Sequence, residues 1–398
     1  MVSTRKVNKI GIIELDYHLE CLQSSIHLFD KNDIELHVFT KKEFFNELSP
    51  TCSNHNVTWH IPINDNPKAV NDFLNDQKKL LESMNMVLFN TLESNFKFFV
   101  KFKLSTLVAV RVHNAFTFLD PLGNIKWPSD IFSLYKFISY IFREEVIKQR
   151  TYWANRFLSE VNYIMFPNVN ITEFALKNIT NAFDSRLLSP LPMAYPKQVN
   201  IKLKHQMDKE LTIVLPGSVD PKRRNYDEIY EALKSLRVKS KKKIKVIFLG
   251  RSNLFGANYL KKSFKNISSE KLEVVFFEKR IPMAEYENYM NSCDVMLNPI
   301  KINTSYHIFK EIYGKTKVSG AVTDIVRYGR PLILPNTYDI DMDLNSCCLT
   351  YSNKDDLITT IMNLTDNRYL NSLNDSVNST LLKIKKNNYL GVMLNEIT

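Results

Sequence analysis

Glycine is scarce in this chain, with nine in 398 residues, and six of them (Gly217, Gly250, Gly256, Gly314, Gly320, Gly329) fall between positions 217 and 329. Neither G-x-G-x-x-G nor a P-loop can be read among them, which removes the strongest support for dehydrogenase and kinase chemistry. Cysteine excludes more. Cys21, Cys52, Cys293, Cys347 and Cys348 are odd in number, dispersed and without a C-x-x-C pair, so neither a disulfide framework nor a zinc site is expected. No apolar run reaches the ~18 residues that a spanning helix needs. The start, MVSTRKVNKIGIIELDY, has too short an apolar run for a signal peptide and reads as a first strand. A cytoplasmic protein is expected, soluble or peripheral at the inner membrane face, and Asn-x-Ser/Thr triplets such as Asn170-Ile171-Thr172 are then incidental.

What is present is charge and a substantial core. A formal net charge of +11 implies anionic partners: nucleotides, phospholipid surfaces or nucleic acid. Basic and aromatic residues are not interleaved on any recognisable module, so nucleic acid is not expected. With 44% hydrophobic residues, the chain can build two domains of ordinary size.

Val7 to Leu15 is a buried-strand pattern, followed by an amphipathic helix to about Phe29 and a strand at Ile34 to Phe39. This β-α-β start predicts a parallel sheet. Further strands are expected at Val57 to Ile61, Met86 to Phe89, Leu107 to Val112 and Tyr163 to Phe166. In a doubly wound sheet, ligands lie beyond the carboxyl ends of the strands. That rule singles out Asp16 and His18 after the first strand, Asn90 and Thr91 after the fourth, and His113 and Asn114 after the fifth. Asp16 and His18 are the candidates for a base acting on an acceptor hydroxyl. Residues 129 to 160 form a long helical pattern with Ser129 as its cap, an aromatic-rich face, and Lys136, Arg143, Lys148, Arg150 and Arg156 outside that face. It fits either a membrane-surface helix or a helix packed in the domain with its basic residues solvated.

Periodicity fails between Leu188 and Lys209, the expected interdomain linker. The predicted layout is a first domain at 1–195, a linker at 196–209, a second domain at 210–378 and a C-terminal helix at 379–398 that could return to the first. The second series runs through strands at Leu211 to Leu215, Ile244 to Leu249, Leu272 to Phe277 and Val295 to Leu297, with helices at Tyr226 to Leu236 and Met283 to Cys293. The lysine-rich run Lys234 to Lys245 falls at the end of the sheet away from the ligand side. Ser319 then reads as the cap of a short helix that Gly329-Arg330-Pro331 closes, ahead of the buried strand Leu332-Ile333-Leu334. A helix start leaves backbone N–H groups unpaired and favours a phosphate. Lys315 and Lys317 add positive charge to that approach, and three basic residues, Lys222, Arg223 and Arg224, follow Gly217 at another helix entry, where cations are disfavoured unless an anion sits there. The acidic run Asp339-Ile340-Asp341-Met342-Asp343 lacks the later glycine and glutamate of a calcium loop, and is read as a solvated loop without metal.

The run PGSVDPKRRNY, the strands KVIFLG and LEVVFF, then YENYMNSCDVMLNP, EIYG and a later D-x4-G-x-P together resemble the nucleotide-binding half of GT-B glycosyltransferases, close to family four. The likeness covers about residues 210 to 335, with weaker support from NTLES and RVHN. It implies an α/β fold of two doubly wound Rossmann-like domains facing across a cleft. It also implies hexosyl transfer from a UDP or GDP sugar to a hydroxyl acceptor, lipid-linked or at a membrane face, as in polysaccharide or glycolipid assembly. Residue by residue, the resemblance places Arg223 and Arg224 on the donor diphosphate, where the turn and helix-start chemistry adds Gly217, Lys317, Ser319 and Gly320. It places Glu311, three before Gly314, on the transferred sugar, Asp324 on the ribose, and His113 facing the donor sugar. A metal-independent, retaining reaction without cofactor follows from it. Glu311 and Asp324 stand thirteen apart where the family spaces its carboxylates eight apart, with KTKVSG between them, and Ser218 replaces a common arginine. A nucleotide-sugar epimerase and a non-catalytic nucleotide- or membrane-binding module of the same fold are the alternatives.

Overall fold

The computed structural model describes residues 9–30, 34–52, 56–179, 186–196, 210–252 and 257–397. The expected linker, from position 197 on, and Gly256 lie outside them. The chain divides into two compact units: Met1–Tyr195 with Ser305–Lys317 and Asn388–Thr398, and Pro196–Thr304 with Val318–Asn387.

Strands β1 (Lys9–Glu14), β2 (Glu35–Thr40), β3 (Val57–His60), β4 (Met86–Thr91), β5 (Leu107–Arg111) and β6 (Tyr163–Met165) build the first sheet. They are followed in the chain by β7 (Glu210–Pro216), β8 (Lys243–Arg251), β9 (Leu272–Phe277), β10 (Val295–Leu297), the short pair β11 (Asn303–Tyr306) and β12 (Phe309–Ile312), β13 (Leu332–Pro335) and β14 (Cys348–Tyr351). The first sheet runs β3-β2-β1-β4-β5-β6 and the second β14-β13-β10-β7-β8-β9, with every pairing in both parallel. The central strands β1, β4 and β10 are buried almost throughout, which is why they read as apolar runs. In the first unit, Ile10, Ile12, Leu36, Val38, Met86 and Leu88 share a core with Leu22, Ile26 and Phe29. The second core joins Ile213, Leu215, Val246 and Phe248 to Ile229, Leu233, Phe264 and Ile361.

Helix boundaries follow local chemistry, and two of them correct the sequence expectation. The 129–160 pattern is three pieces: Ile131–Tyr140, a wide π-helical stretch at Ile141–Ile147, and Arg150–Glu160. Gln149, in the left-handed region at φ 53°, separates the last two. The cap is Asp130 rather than Ser129: its carboxylate accepts from Ser133 N at 2.8 Å, and Ser133 Oγ accepts from Asp130 N at 3.1 Å, a reciprocal box that Ser129 is one residue too early to make. At the other end, the helix at Asn367–Lys386 belongs to the second unit. The element that returns is shorter, Tyr389–Ile397, with Met393 buried in the first core and Glu396 accepting from Ser189 N at 2.7 Å.

One carboxyl lies inside the first core. Glu14, fully buried at the end of β1, accepts from Asn90 Nδ2 at 2.6 Å and from Asp16 N at 3.1 Å. Asn90 Oδ1 accepts from Ser25 Oγ at 2.7 Å, and Ser25 Oγ accepts from Arg111 Nη2 at 3.0 Å. Burial pushes the Glu14 carboxyl up to about 8, and Asp16 beside it adds to the rise. Between the usual carboxylate range and about pH 8 the folded chain therefore holds a proton that the unfolded chain has lost. Stability accordingly falls as pH rises through that window and flattens above it. Melting temperature measured from pH 5 to 9 should show this descent, and Glu14→Gln should flatten it; an unchanged slope in the variant would place the proton elsewhere. The second unit offers a packing test. A Cβ on Gly250 would stand 2.4 Å from Gly217 O and 2.7 Å from Ser218 N, and backbone cannot yield as a flexible side chain can. Gly250→Ala should lose about 1–3 kcal/mol in urea unfolding.

Candidate functional site

In parallel sheets the helix connections reverse direction at one point, and side chains that follow the flanking strands converge there. In the second unit this point is between β7 and β10. Gly217 closes β7 at φ 86°, a conformation that glycine adopts freely. The loop after it is tied to the segment after β10: Asn225 N donates to Pro299 O at 2.8 Å, Lys301 N to Arg223 O at 2.9 Å, and Lys301 Nζ to Pro221 O at 2.8 Å. Arg224 turns its guanidinium back on the strand end, with Nη1 3.3 Å from Gly217 O and Nη2 on Pro216 O. Its positive charge is thereby fixed at the turn, while Arg223 beside it is exposed.

Ser319 occupies the N-cap of the helix Gly320–Tyr328, whose C-terminus Gly329 closes at φ 61°. Its side chain does not cap that helix. Ser319 Oγ accepts from Asn298 Nδ2 at 2.9 Å, and Ser319 N donates to Tyr338 OH at 3.2 Å. The first turn is thus held by its neighbours instead of being sealed by its own hydroxyl. Gly320 is exposed, and a Cβ built on it meets nothing within 4 Å. Open space therefore lies in front of the positive end of the helix. Asp324, one turn in, is buried and accepts from Arg327 Nη1 at 3.0 Å. Asn298 and Tyr338 were missed as site residues. Asn298 could have been found, because it directly follows β10 beside the switch point.

In the first unit the reversal falls between β1 and β4, and the residues after both strands meet. Asp16 accepts from Glu93 N at 2.8 Å and from Ser94 Oγ at 3.1 Å. Both of its oxygens hold the loop after β4, and burial raises its carboxyl above the usual range. Glu93, also raised by burial, accepts from Tyr306 OH and lies 3.5 Å from Asn114 Nδ2. The imidazole rings of His18 and His113 stack at 4.7 Å. His113 Nε2 lies 2.8 Å from Asn90 O and 3.2 Å from Thr91 Oγ1. The carbonyl fixes that nitrogen as the donor and leaves Nδ1, buried and without a partner among the described residues, as an acceptor. Burial, with His18 and Arg111 nearby, holds the ring far below its ordinary value, so it stays neutral.

Glu311, Gly314 and Lys317 lie in residues 305–317, which group with the first unit. Glu311 is buried, accepting from Thr117 N at 2.8 Å and Thr117 Oγ1 at 2.6 Å, at the start of the helix Ala115–Leu119. Lys317 Nζ donates to Asn114 Oδ1 at 2.7 Å, and Ala115 N donates to Thr316 O at 2.9 Å. Residues 305–317 thus form a connection fastened to the segment after β5. These bonds fasten Glu311 to the start of the helix Ala115–Leu119 and Lys317 to Asn114.

No family model matches the sequence, and no curated protein matches it. Solved structures match by architecture. A glycosyltransferase from Rickettsia africae superposes with a TM-score of 0.58 at 11% identity, covering 98% of this chain and 96% of that one. The N-terminal domain of Candida albicans trehalose-6-phosphate phosphatase gives 0.57 at 12% identity, over 100% and 98%. Anabaena HepE, solved in complex with UDP, gives 0.54 at 10% identity, over 95% and 97%. Together with the two six-stranded parallel sheets, these likenesses establish that the chain has the GT-B fold.

Proposed function

We propose that this chain is a glycosyltransferase that binds a nucleotide-diphosphate sugar through its second unit and takes a hydroxyl acceptor through its first. The observation that carries the proposal is the unsealed start of the helix Gly320–Tyr328 beside a turn that fixes Arg224. Backbone N–H groups, the positive end of a helix and guanidinium donors suit a diphosphate, and together they stabilise it as a leaving group without requiring a metal. Arg223 and Arg224 would hold the diphosphate with Gly217, Ser319 and Gly320, and Asp324 would reach the ribose. In the first unit, the neutral His113 ring would face the donor sugar. Asp16 and Glu93 are spent on the loop that shapes the acceptor end, so His18 remains the nearer group for handling the acceptor proton. Hexosyl transfer with retained configuration belongs to the same proposal. UDP is the first nucleotide to test, since HepE was solved with UDP and with UDP-glucose.

Gly320→Asp separates binding from folding. An acid at the first helical position suits the dipole by about 0.3–1 kcal/mol, and replacing glycine restricts the unfolded chain by about 0.4–1 kcal/mol. The melting temperature of the free variant should therefore hold or rise. In the wild type, UDP or GDP should raise the melting temperature as binding to the folded state requires, equally with and without EDTA, and in Gly320→Asp that rise should vanish. No shift with any nucleotide in the wild type, or a shift that survives in the variant, would remove the donor site as drawn.

A further inference from the structure

The helix Ile131–Tyr140 and its π-helical continuation Ile141–Ile147 are apolar on two faces. One face is used. Phe137, Tyr140 and Ile141 pack with Ile125, Ile308 and Phe309. The other carries Ile131, Tyr135, Ile138, Phe142 and Val146, spaced at helical intervals, with Phe132 and Ile147 beside them, and all seven are between 56% and 87% exposed. Trp127, on the approach to the helix, is exposed as well. Single exposed apolar residues need no explanation, but a contiguous ridge of this kind marks a surface that something covers. Among the described residues no helix is long and apolar enough to cross a membrane, so a covering bilayer would be met at its surface.

Charge narrows the choice. Within 131–149 every exposed charged side chain is basic: Lys136, Arg143 and Lys148. The two acids are partly buried and engaged, Glu144 by Arg143 at 2.8 Å and Lys148 at 3.0 Å, and Glu145 by Thr151 N at 3.0 Å. Asp130, exposed at the start, caps the helix. Two copies joined face to face through a twofold axis would bring this basic set against itself with no free acid to pair it. An anionic lipid surface has the complementary charge and accepts apolar side chains without needing a shaped pocket. Long basic side chains can then reach up to phosphates while their stems stay among the acyl chains.

We infer that residues 127–147 form an interfacial anchor, which lays Ile131, Tyr135, Ile138 and Phe142 into the acyl boundary of an anionic bilayer with Lys136 and Arg143 at the headgroups. The anchor stands whether or not the nucleotide-sugar proposal does. If both hold, the acceptor-taking unit works at a lipid surface.

The full chain should be mixed with vesicles of phosphatidylcholine alone and of equal parts phosphatidylcholine and phosphatidylglycerol. It should sediment with the anionic vesicles and shift its tryptophan emission to the blue, and Trp127→Phe should remove that shift. Ile138→Asp combined with Phe142→Asp should weaken partitioning by at least about tenfold, with the melting temperature and the UDP response unchanged. Lys136→Glu combined with Arg143→Glu should weaken binding to the anionic vesicles alone. Absence of sedimentation with both compositions would overturn the anchor. So would a dimer in light scattering that Ile138→Asp with Phe142→Asp dissolves, since a second copy would then be what covers the face. Because the UDP response is read on the same proteins, loss of the anchor and loss of the donor site are distinguishable.

Discussion

Parallel pairing is the constraint on which everything else in this molecule depends. A parallel strand is covered on both faces, so its interior positions must be apolar, and side chains able to do chemistry are pushed to its ends. The central strands of both large sheets follow this, and both sheets place the first strand of the unit beside the point where winding reverses. Two sets of polar residues result, one after β1, β4 and β5 and one after β7 and β10. A buried polar chain also links Glu14 to Arg111 through Asn90 and Ser25.

That chain shows how the constraint is met where it is nearly broken. Its two ends, Glu14 and Arg111, are both ionisable and buried, and they are joined only through other side chains. Two neutral side chains stand between them, so each has a hydrogen-bond partner while the carboxyl is kept protonated by burial. A few ångströms farther along the same strands, His113 is held neutral by the same desolvation. At this end of the first sheet Glu14 and His113 are thus both held in their neutral forms by burial. In the second unit the opposite holds, with fixed positive groups and open space at the strand ends.

The strands were legible because their environment is uniform: Val295 to Leu297, Leu272 to Phe277 and Leu332 to Leu334 needed only an apolar run between breakers. The helix Gly320–Tyr328 was legible at both ends for the same local reasons, a serine before it and a left-handed glycine after it. What escaped was set by distant contacts. The destination of residues 305–317 depends on Glu311 meeting Thr117 and Lys317 meeting Asn114, almost two hundred positions away or more, and no local pattern carries that information. The break at Gln149 was invisible because a glutamine in the left-handed region has no signature of its own. Ser319 was found as a cap by position, but its hydroxyl is spent on Asn298, a partner that only the sheet order brings close.

The first unit is assembled from three separate lengths of chain, the last of them carrying Met393 into its core. Synthesis on the ribosome proceeds from the N-terminus, so every residue of the second unit can have been made while the first still lacks its closing helix. Of the two units, the one whose first strands are made earlier is thus the one completed later. Until then its unfilled core is an exposed apolar surface, the kind of surface on which chaperones act.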